Sequence, residues 1–274
     1  MGALGELRRT AFVTGASAGL GREFALMLLS EGVRVWGTSR DPARLAELAE
    51  GHPGAFHPVA LDLADPDGAV RAFAVASAAA GGNFDLVINN AGYGIFGEFA
   101  GVENSVWRAQ IEGMLGTVLA LSHAAYRSMR ARNRGCLVHV SSIAAEFPLP
   151  YMSGYNVAKA GLSALSESLM FESRGSGIVI IDLRPGDYRT NFDQTMQKDS
   201  ISEATRRAWV ALDASFSGAP APALAARDLR AALLANRSGV VRTGSFFQAT
   251  LAPALARIAP QSWVRWATAR YYGL

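Results

Sequence analysis

Cysteine is almost missing from this chain of 274 residues: Cys136 stands alone, so no intrachain disulfide can form, and the redox compartment is left open. It begins an apolar strand and reads as a buried thiol. Histidine is sparse too. His52, His57, His123 and His139 are dispersed, so no metal site is predicted, and His139 within Leu137-Val138-His139-Val140 reads as a sheet or core residue. The longest uncharged stretches, 113–126 and 243–256, fall short of the roughly 20 apolar residues a membrane-spanning helix needs. Met1 to Arg9 is polar, which predicts no secretory signal, and Glu6 stands where myristoylation requires Ser or Thr. A cytoplasmic location is therefore expected. Repeats and low-complexity tracts are absent as well. Net charge is only +3, with a pI near 9.2. The arginines are scattered except for Arg127, Arg130, Arg132 and Arg134 at one predicted helix end, where they complement the helix dipole, so no nucleic-acid partner is expected. Lysine is the scarcest charged residue: of 26 basic residues, only Lys159 and Lys198 are not arginine.

What the chain does contain is apolar sequence, half of its residues, which is ample for a large core. Strand signals at 10–14, 33–37, 55–61, 84–89, 136–141, 178–183 and 239–242 alternate with helical segments, without an internal linker. That order predicts a single α/β domain over 1–274 built on a doubly wound parallel sheet, with its ligand beyond the carboxyl ends of the strands.

One of the two lysines occupies a telling place. Tyr155 and Lys159 are four residues apart on a predicted helix, so phenol and ammonium project from the same face, and Ser142 lies thirteen residues upstream at the end of an apolar run. A fixed cation beside a phenol favours phenolate, which predicts a general acid/base at Tyr155. Near the other end of the chain, the strand Thr10–Thr14 runs into Gly15-Ala16-Ser17-Ala18-Gly19-Leu20-Gly21 and then an amphipathic segment over 22–30. Glycines in such a turn let the backbone approach a pyrophosphate, and the helix behind offers free N–H groups to it.

The Gly-x-x-x-Gly-x-Gly turn, Asn89-Asn90-Ala91-Gly92 after a fourth strand, Ser142, Tyr155 with Lys159, and Pro185-Gly186 followed by Thr190 together resemble the short-chain dehydrogenase/reductase family, in order and approximate spacing. The resemblance implies a Rossmann fold binding a nicotinamide dinucleotide. It implies that Gly15, Ser17, Ala18, Gly19, Leu20 and Gly21 cradle the phosphates, that Asp62 and Leu63 flank the adenine, and that Asn89, with Ala91 and Gly92, closes the site. Lys159 would bind the nicotinamide ribose, Ser142 the substrate carbonyl oxygen, and Tyr155 would donate the proton. Pro185, Gly186, the backbone around Tyr188 and the Thr190 hydroxyl would hold the carboxamide. A homodimer or homotetramer is expected on the same ground. One position departs from the family: Gly113 stands where an asparagine usually bends a helix around a relay water, so either the proton relay is altered or the glycine lets two helices pack closely.

Cofactor choice is argued from the second strand, where a dinucleotide site for NAD places an acidic residue. This chain has Thr38-Ser39-Arg40 there, and a guanidinium without a competing carboxylate favours NADP. The expected activity is hydride transfer between NADPH and a ketone or aldehyde, the alternative being an NADP-binding protein whose catalysis is weak or lost through Gly113. Candidate substrate contacts are Tyr93, Ile95, Phe96, Phe147, Leu149, Met152, Tyr188 and a covering segment over 191–217, a mostly apolar set that implies an apolar carbonyl or alcohol substrate. Asp187 and Arg189 flank Tyr188 and are read either as solvated surface residues or as a polar contact to the substrate, surface solvation being the favoured reading. The tail over 243–274 carries Phe246, Phe247, Leu251, Leu255, Ile258, Trp263, Trp266, Tyr271 and Tyr272 among Arg257, Arg265 and Arg270. So much apolar surface predicts packing against the body or a second subunit, a lid over the substrate, or peripheral contact with a membrane surface.

Overall fold

A computed structural model of the chain describes residues 2–274. Among the described residues there are nine strands: β1 (Thr10–Val13), β2 (Arg34–Ser39), β3 (Phe56–Ala60), β4 (Leu86–Asn89), β5 (Ile95–Phe96), β6 (Arg134–Val140), β7 (Gly177–Pro185), β8 (Gln197–Lys198) and β9 (Gly239–Thr243). Seven of them form one parallel sheet in the order β3-β2-β1-β4-β6-β7-β9, the doubly wound arrangement expected. The order reverses at β1, whose Phe12 lies level with Trp36 on one side and Val87 on the other.

Both faces of the sheet are buried, because successive side chains point to opposite sides and helices cover each. Ala11, Val13, Leu86, Ile88, Cys136 and Val138 face the helices Gly19–Ser30 and Ala223–Ala235, where Phe24, Leu28, Leu229 and Leu233 fill the interface. Phe12, Trp36, Val87, Leu137 and Ile180 face the helices Pro66–Ala79, Thr117–Arg132 and Ser153–Glu172 through Phe73, Leu121 and Leu162. Cys136 is wholly buried, and burial pushes its thiol up to about 11.

Local chemistry sets the helix ends. Asp65 accepts from Gly68 N–H at 2.8 Å with Pro66 at the first helical position, and Asn133 and Asn236 adopt the left-handed conformation that stops two helices. Of the four clustered arginines, Arg134 and Arg132 pair with Asp85, at 2.9 and 3.6 Å, so part of that cluster is a local ion-pair group. Strands β5 and β8 pair with each other outside the main sheet. Two residues carry no periodic signal, and neither was expected. No described helix is long and apolar enough to cross a membrane.

Candidate active site

The carboxyl ends of β1, β2, β4, β6 and β7 open into a cavity of about 1050 Å3. Its floor begins at the glycine turn. Gly15 has φ +70°, and a Cβ there would stand 3.0 Å from Ala91 Cα; Gly19 has φ +53°, and its own would face Thr190 at 3.5 Å. Both therefore need the conformational freedom of glycine. Ser17, Ala18 and Leu20 line the cavity beside them. Gly21 does not. It packs the helix start so tightly on the turn that a Cβ would run into the Gly15 carbonyl oxygen, so its part is to hold the turn in place. Thr14 locks the turn to β4: its hydroxyl accepts from Asn90 N–H at 2.8 Å and Ala91 N–H at 2.9 Å, while Asn90 Nδ2 donates to the Thr14 carbonyl at 2.9 Å.

That lock corrects one sequence expectation. Asn90, with Ala91 and Gly92, lines the cavity, whereas Asn89 is buried behind it and donates to Ser122 Oγ at 3.0 Å. Alternation along β4 sends the two neighbours to opposite sides. Behind the wall, His139 is held between Ser122 and Ser166 at 2.9 and 2.8 Å, and burial pushes its imidazole down to about 4, as suits a neutral core histidine.

At one end of the cavity lie Ser39, Arg40, Asp62 and Leu63. Arg44 joins them, and neither it nor Arg40 pairs with a carboxylate among the described residues. Sequence reasoning missed Arg44 because it lies past the strand, in the short 3-10 helix Pro42–Leu45 that Asp41 caps through Ala43 N–H at 3.0 Å.

At the other end, Ser142, Tyr155 and Lys159 share the wall with Pro185, Gly186, Tyr188 and Thr190. Lys159 is 4% exposed; its Nζ donates to the Val140 carbonyl at 2.6 Å and stands 5.7 Å from the Tyr155 ring centre. Burial pushes Tyr155 up to about 12, opposed by the Ser142 hydroxyl and reinforced by Asp187, while burial pushes Lys159 down to about 8 against the attraction of Asp182. The lowered phenol expected from the Tyr-Lys spacing is thus not produced by the polypeptide alone. Desolvation outweighs a cation that is bound to a backbone carbonyl. The Tyr188 ring turns inward, its hydroxyl 2.6 Å from Thr243 Oγ1.

Gly113 lies in a π-helical turn, Glu112–Gly116, so the bend exists without an asparagine. The nearest atoms to a Cβ there belong to Leu63, its carbonyl oxygen at 3.4 Å, which corrects the idea that this glycine lets two helices pack together.

The apolar part of the cavity is lined by Tyr93, Phe147, Leu149, Phe192 and Phe216. Three expected contacts are absent from it. Phe96 and Met152 are buried in a cluster with Met196 and Leu212, and Ile95 packs with Val102 and Trp107. Ile95 and Phe96 lie on β5, which pairs with β8, and Met152 stands at the start of the helix Ser153–Glu172. The remaining wall comes from the tail: Phe247, Leu255, Trp263, Trp266 and Tyr271 line the same cavity, although Trp263 and Trp266 remain 68% and 69% exposed. Tyr272 alone of the tail aromatics is buried, among Phe96, Met152 and Leu212. Asp187 also lines the cavity, partly buried, so the favoured surface reading fails for it while its polar-contact alternative fits; Arg189 is exposed.

Comparison with known proteins agrees with this geometry. The family described as short chain dehydrogenase matches residues 9–201. An uncharacterized oxidoreductase of Myxococcus xanthus is 36% identical over 197 residues, which is 68% of this chain and 75% of that protein. The crystal structure of a short-chain dehydrogenase from Streptomyces avermitilis superposes with a TM-score of 0.83 at 26% identity, covering 94% of this chain and 97% of that one. A metagenomic short-chain oxidoreductase solved in complex with NADP gives a TM-score of 0.67 at 29% identity, over 85% and 96% of the two chains. With its glycine turn, its Ser142, Tyr155 and Lys159 on one cavity wall, and a family match over most of its length, the chain belongs to the short-chain dehydrogenase family of oxidoreductases.

Proposed function

We propose that this protein is an NADP-dependent alcohol dehydrogenase or carbonyl reductase that interconverts a ketone or aldehyde and the corresponding alcohol in an apolar substrate. The observation that carries this reading is one continuous cavity with the glycine turn and two unpaired arginines at one end and Ser142, Tyr155 and Lys159 at the other. The residues present fit the dinucleotide. Gly15 and Gly19 leave a turn free of side chains where a pyrophosphate would lie, and Arg40 and Arg44 offer charge-assisted hydrogen bonds to a ribose phosphate. Gly92 stands so close to Lys159 that a Cβ would come within 3.7 Å of Nζ, which keeps the lysine side of the site open to a ribose.

When bound, NADPH supplies the hydride that reaches the carbonyl carbon. The protein manages the oxygen and the proton. Ser142 offers a hydroxyl to the carbonyl oxygen, and Tyr155, held protonated by burial, transfers its phenolic proton to that oxygen as the alcohol forms. Lys159, anchored on Val140, places a positive charge behind the phenol that favours the phenolate left by the transfer. The mostly apolar wall from Tyr93 to the tail excludes water and holds an apolar body. The test is NADPH oxidation with a panel of long-chain, cyclic and aromatic ketones and aldehydes. Turnover of at least one apolar member, abolished in Tyr155→Phe, is expected; tight NADPH binding without turnover of any member would reject the reductase in favour of a nucleotide-binding protein.

A further inference from the structure

Asp187 is the carboxylate at the reactive end of the cavity; the other acidic lining residue, Asp62, lies at the Arg40 end. It follows Gly186 directly, and a glutamine from the tail clasps it. Gln248 Nε2 donates to Asp187 Oδ2 at 2.7 Å, and Asp187 N–H donates to Gln248 Oε1 at 3.0 Å. Among the described residues no arginine, lysine or histidine pairs with this carboxylate. Its charge reaches the reacting group, since it raises the phenols of Tyr155, Tyr271 and Tyr272. Burial in turn holds the Asp187 carboxyl above its usual range, against hydrogen bonds from Gln248 and Ser215.

Tying down the tail does not require that charge. An asparagine would accept the same hydrogen bond from Gln248, offer its amide to the Ser215 hydroxyl oxygen and donate the same backbone N–H, without the cost of a partly desolvated anion in a mostly apolar cavity. The contrast points to a ligand that brings the missing cation. We infer that Asp187 is a specificity-determining group for a protonated amine on the substrate, and that the substrate is an amphiphilic amino ketone or amino alcohol whose ammonium group meets Asp187 while its apolar body lies along Phe192, Phe216 and the tail. This rests on the reading of the cavity as a carbonyl-reducing site. The aromatic faces of Trp263, Trp266 and Tyr271 in the same cavity suit a cationic head as well as an apolar body. A hydroxyl in place of the amine would satisfy one hydrogen bond but leave the charge uncompensated.

Two measurements test this. Calorimetric binding of n-octylamine, n-octanol and n-octanoate to the NADP-loaded protein should rank the amine first by about tenfold, the octanoate last, and Asp187→Asn should erase the amine's advantage while Asp187→Glu retains it. Steady-state kinetics with a long-chain β-amino ketone, its β-hydroxy analogue and the unsubstituted ketone should show the amino compound favoured by about tenfold in kcat/KM, mainly through KM, with the ratio collapsing in Asp187→Asn. Octanol or octanoate binding as tightly as octylamine to the unmutated protein overturns the inference, and so does an amino-ketone preference that survives Asp187→Asn in a folded variant. If octylamine binds through Asp187 but no ketone is reduced, the cation site stands and the reductase reading falls. If ketones are reduced with no preference for the amine, the reductase stands and the cation site falls.

Discussion

Lys159 donates a hydrogen bond to the Val140 carbonyl, 2.6 Å from Nζ, and its Nζ stands 5.7 Å from the centre of the Tyr155 ring. Its charge is therefore fixed to β6, behind the phenol. Tyr155→Phe keeps the ring and removes the transferable proton, so kcat should fall by about 100-fold or more while NADPH affinity changes little. Lys159→Met should weaken both turnover and cofactor binding. Fluorescence titration with NADPH beside steady-state kinetics separates the two; wild-type turnover in Tyr155→Phe would reject the mechanism.

Because Tyr155 is pushed up to about 12, its acid form, which reduction requires, persists throughout the neutral range. Alcohol oxidation requires the phenolate and should speed up as pH rises toward that value, so the ratio of oxidative to reductive kcat should grow steadily with pH. Parallel pH profiles in the two directions check this. An oxidative rate that is flat from neutral to alkaline pH would contradict it.

Arg40 and Arg44, unpaired at the far end of the cavity, should make NADPH preferred over NADH by about tenfold in kcat/KM, which needs only about 1.4 kcal/mol. Arg40→Asp should reverse the preference, and Arg44→Ala should reduce it. Equal use of both cofactors by the unmutated protein would remove Arg40 as the discriminator.

At Gly113 a Cβ would meet the Leu63 carbonyl at 3.4 Å, an ordinary contact, and the π turn is already formed. Gly113→Asn should therefore fold and raise kcat by supplying the side-chain amide. A lower melting temperature would show that the amide itself clashes. Unchanged kinetics and unchanged melting temperature would show that the backbone here suffices.

Removing residues 261–274 takes Tyr272 out of its buried cluster with Phe96, Met152 and Leu212. Burial of one large aromatic is worth about 2–3 kcal/mol, so the melting temperature should drop by several degrees and apolar substrates should lose affinity. Sedimentation of the intact protein with anionic vesicles at low salt tests whether the exposed Trp263, Trp266, Arg265 and Arg270 also meet a membrane surface. Failure to sediment ends that proposal.

His139 makes stability pH-dependent. Its pKa falls from 6.5 unfolded to about 4 folded, so the unfolded chain binds the extra proton between those values. Its contribution is fully present above 6.5 and is lost as pH falls toward 4. Thermal melts across that window should show a decline that His139→Gln makes shallower.

The order of strands and the position of the glycine turn were legible because they are local: apolar runs mark buried strands, and a side-chain-free turn between strand and helix is visible in a few residues. The same holds for Tyr155 and Lys159, which one helical turn brings to one face whatever the rest of the chain does. Alternation of strand and helix gave a parallel, doubly wound sheet, but the strand order across it and the switch at β1 are set by how the elements pack. Tertiary structure decided the rest. Whether Asn89 or Asn90 faces the cavity depends on the register of β4 against β1, and the burial of Phe96 depends on β5 meeting β8, 102 residues away at Ile95 and Gln197. The choice between Asp187's two readings, surface residue or polar contact in the cavity, is made by its hold on Gln248 of the tail, a contact between residues 61 apart in sequence. Periodicity reports which faces of a segment are apolar but not which distant surface covers them, because that choice is made by packing between elements and leaves no local pattern in the chain.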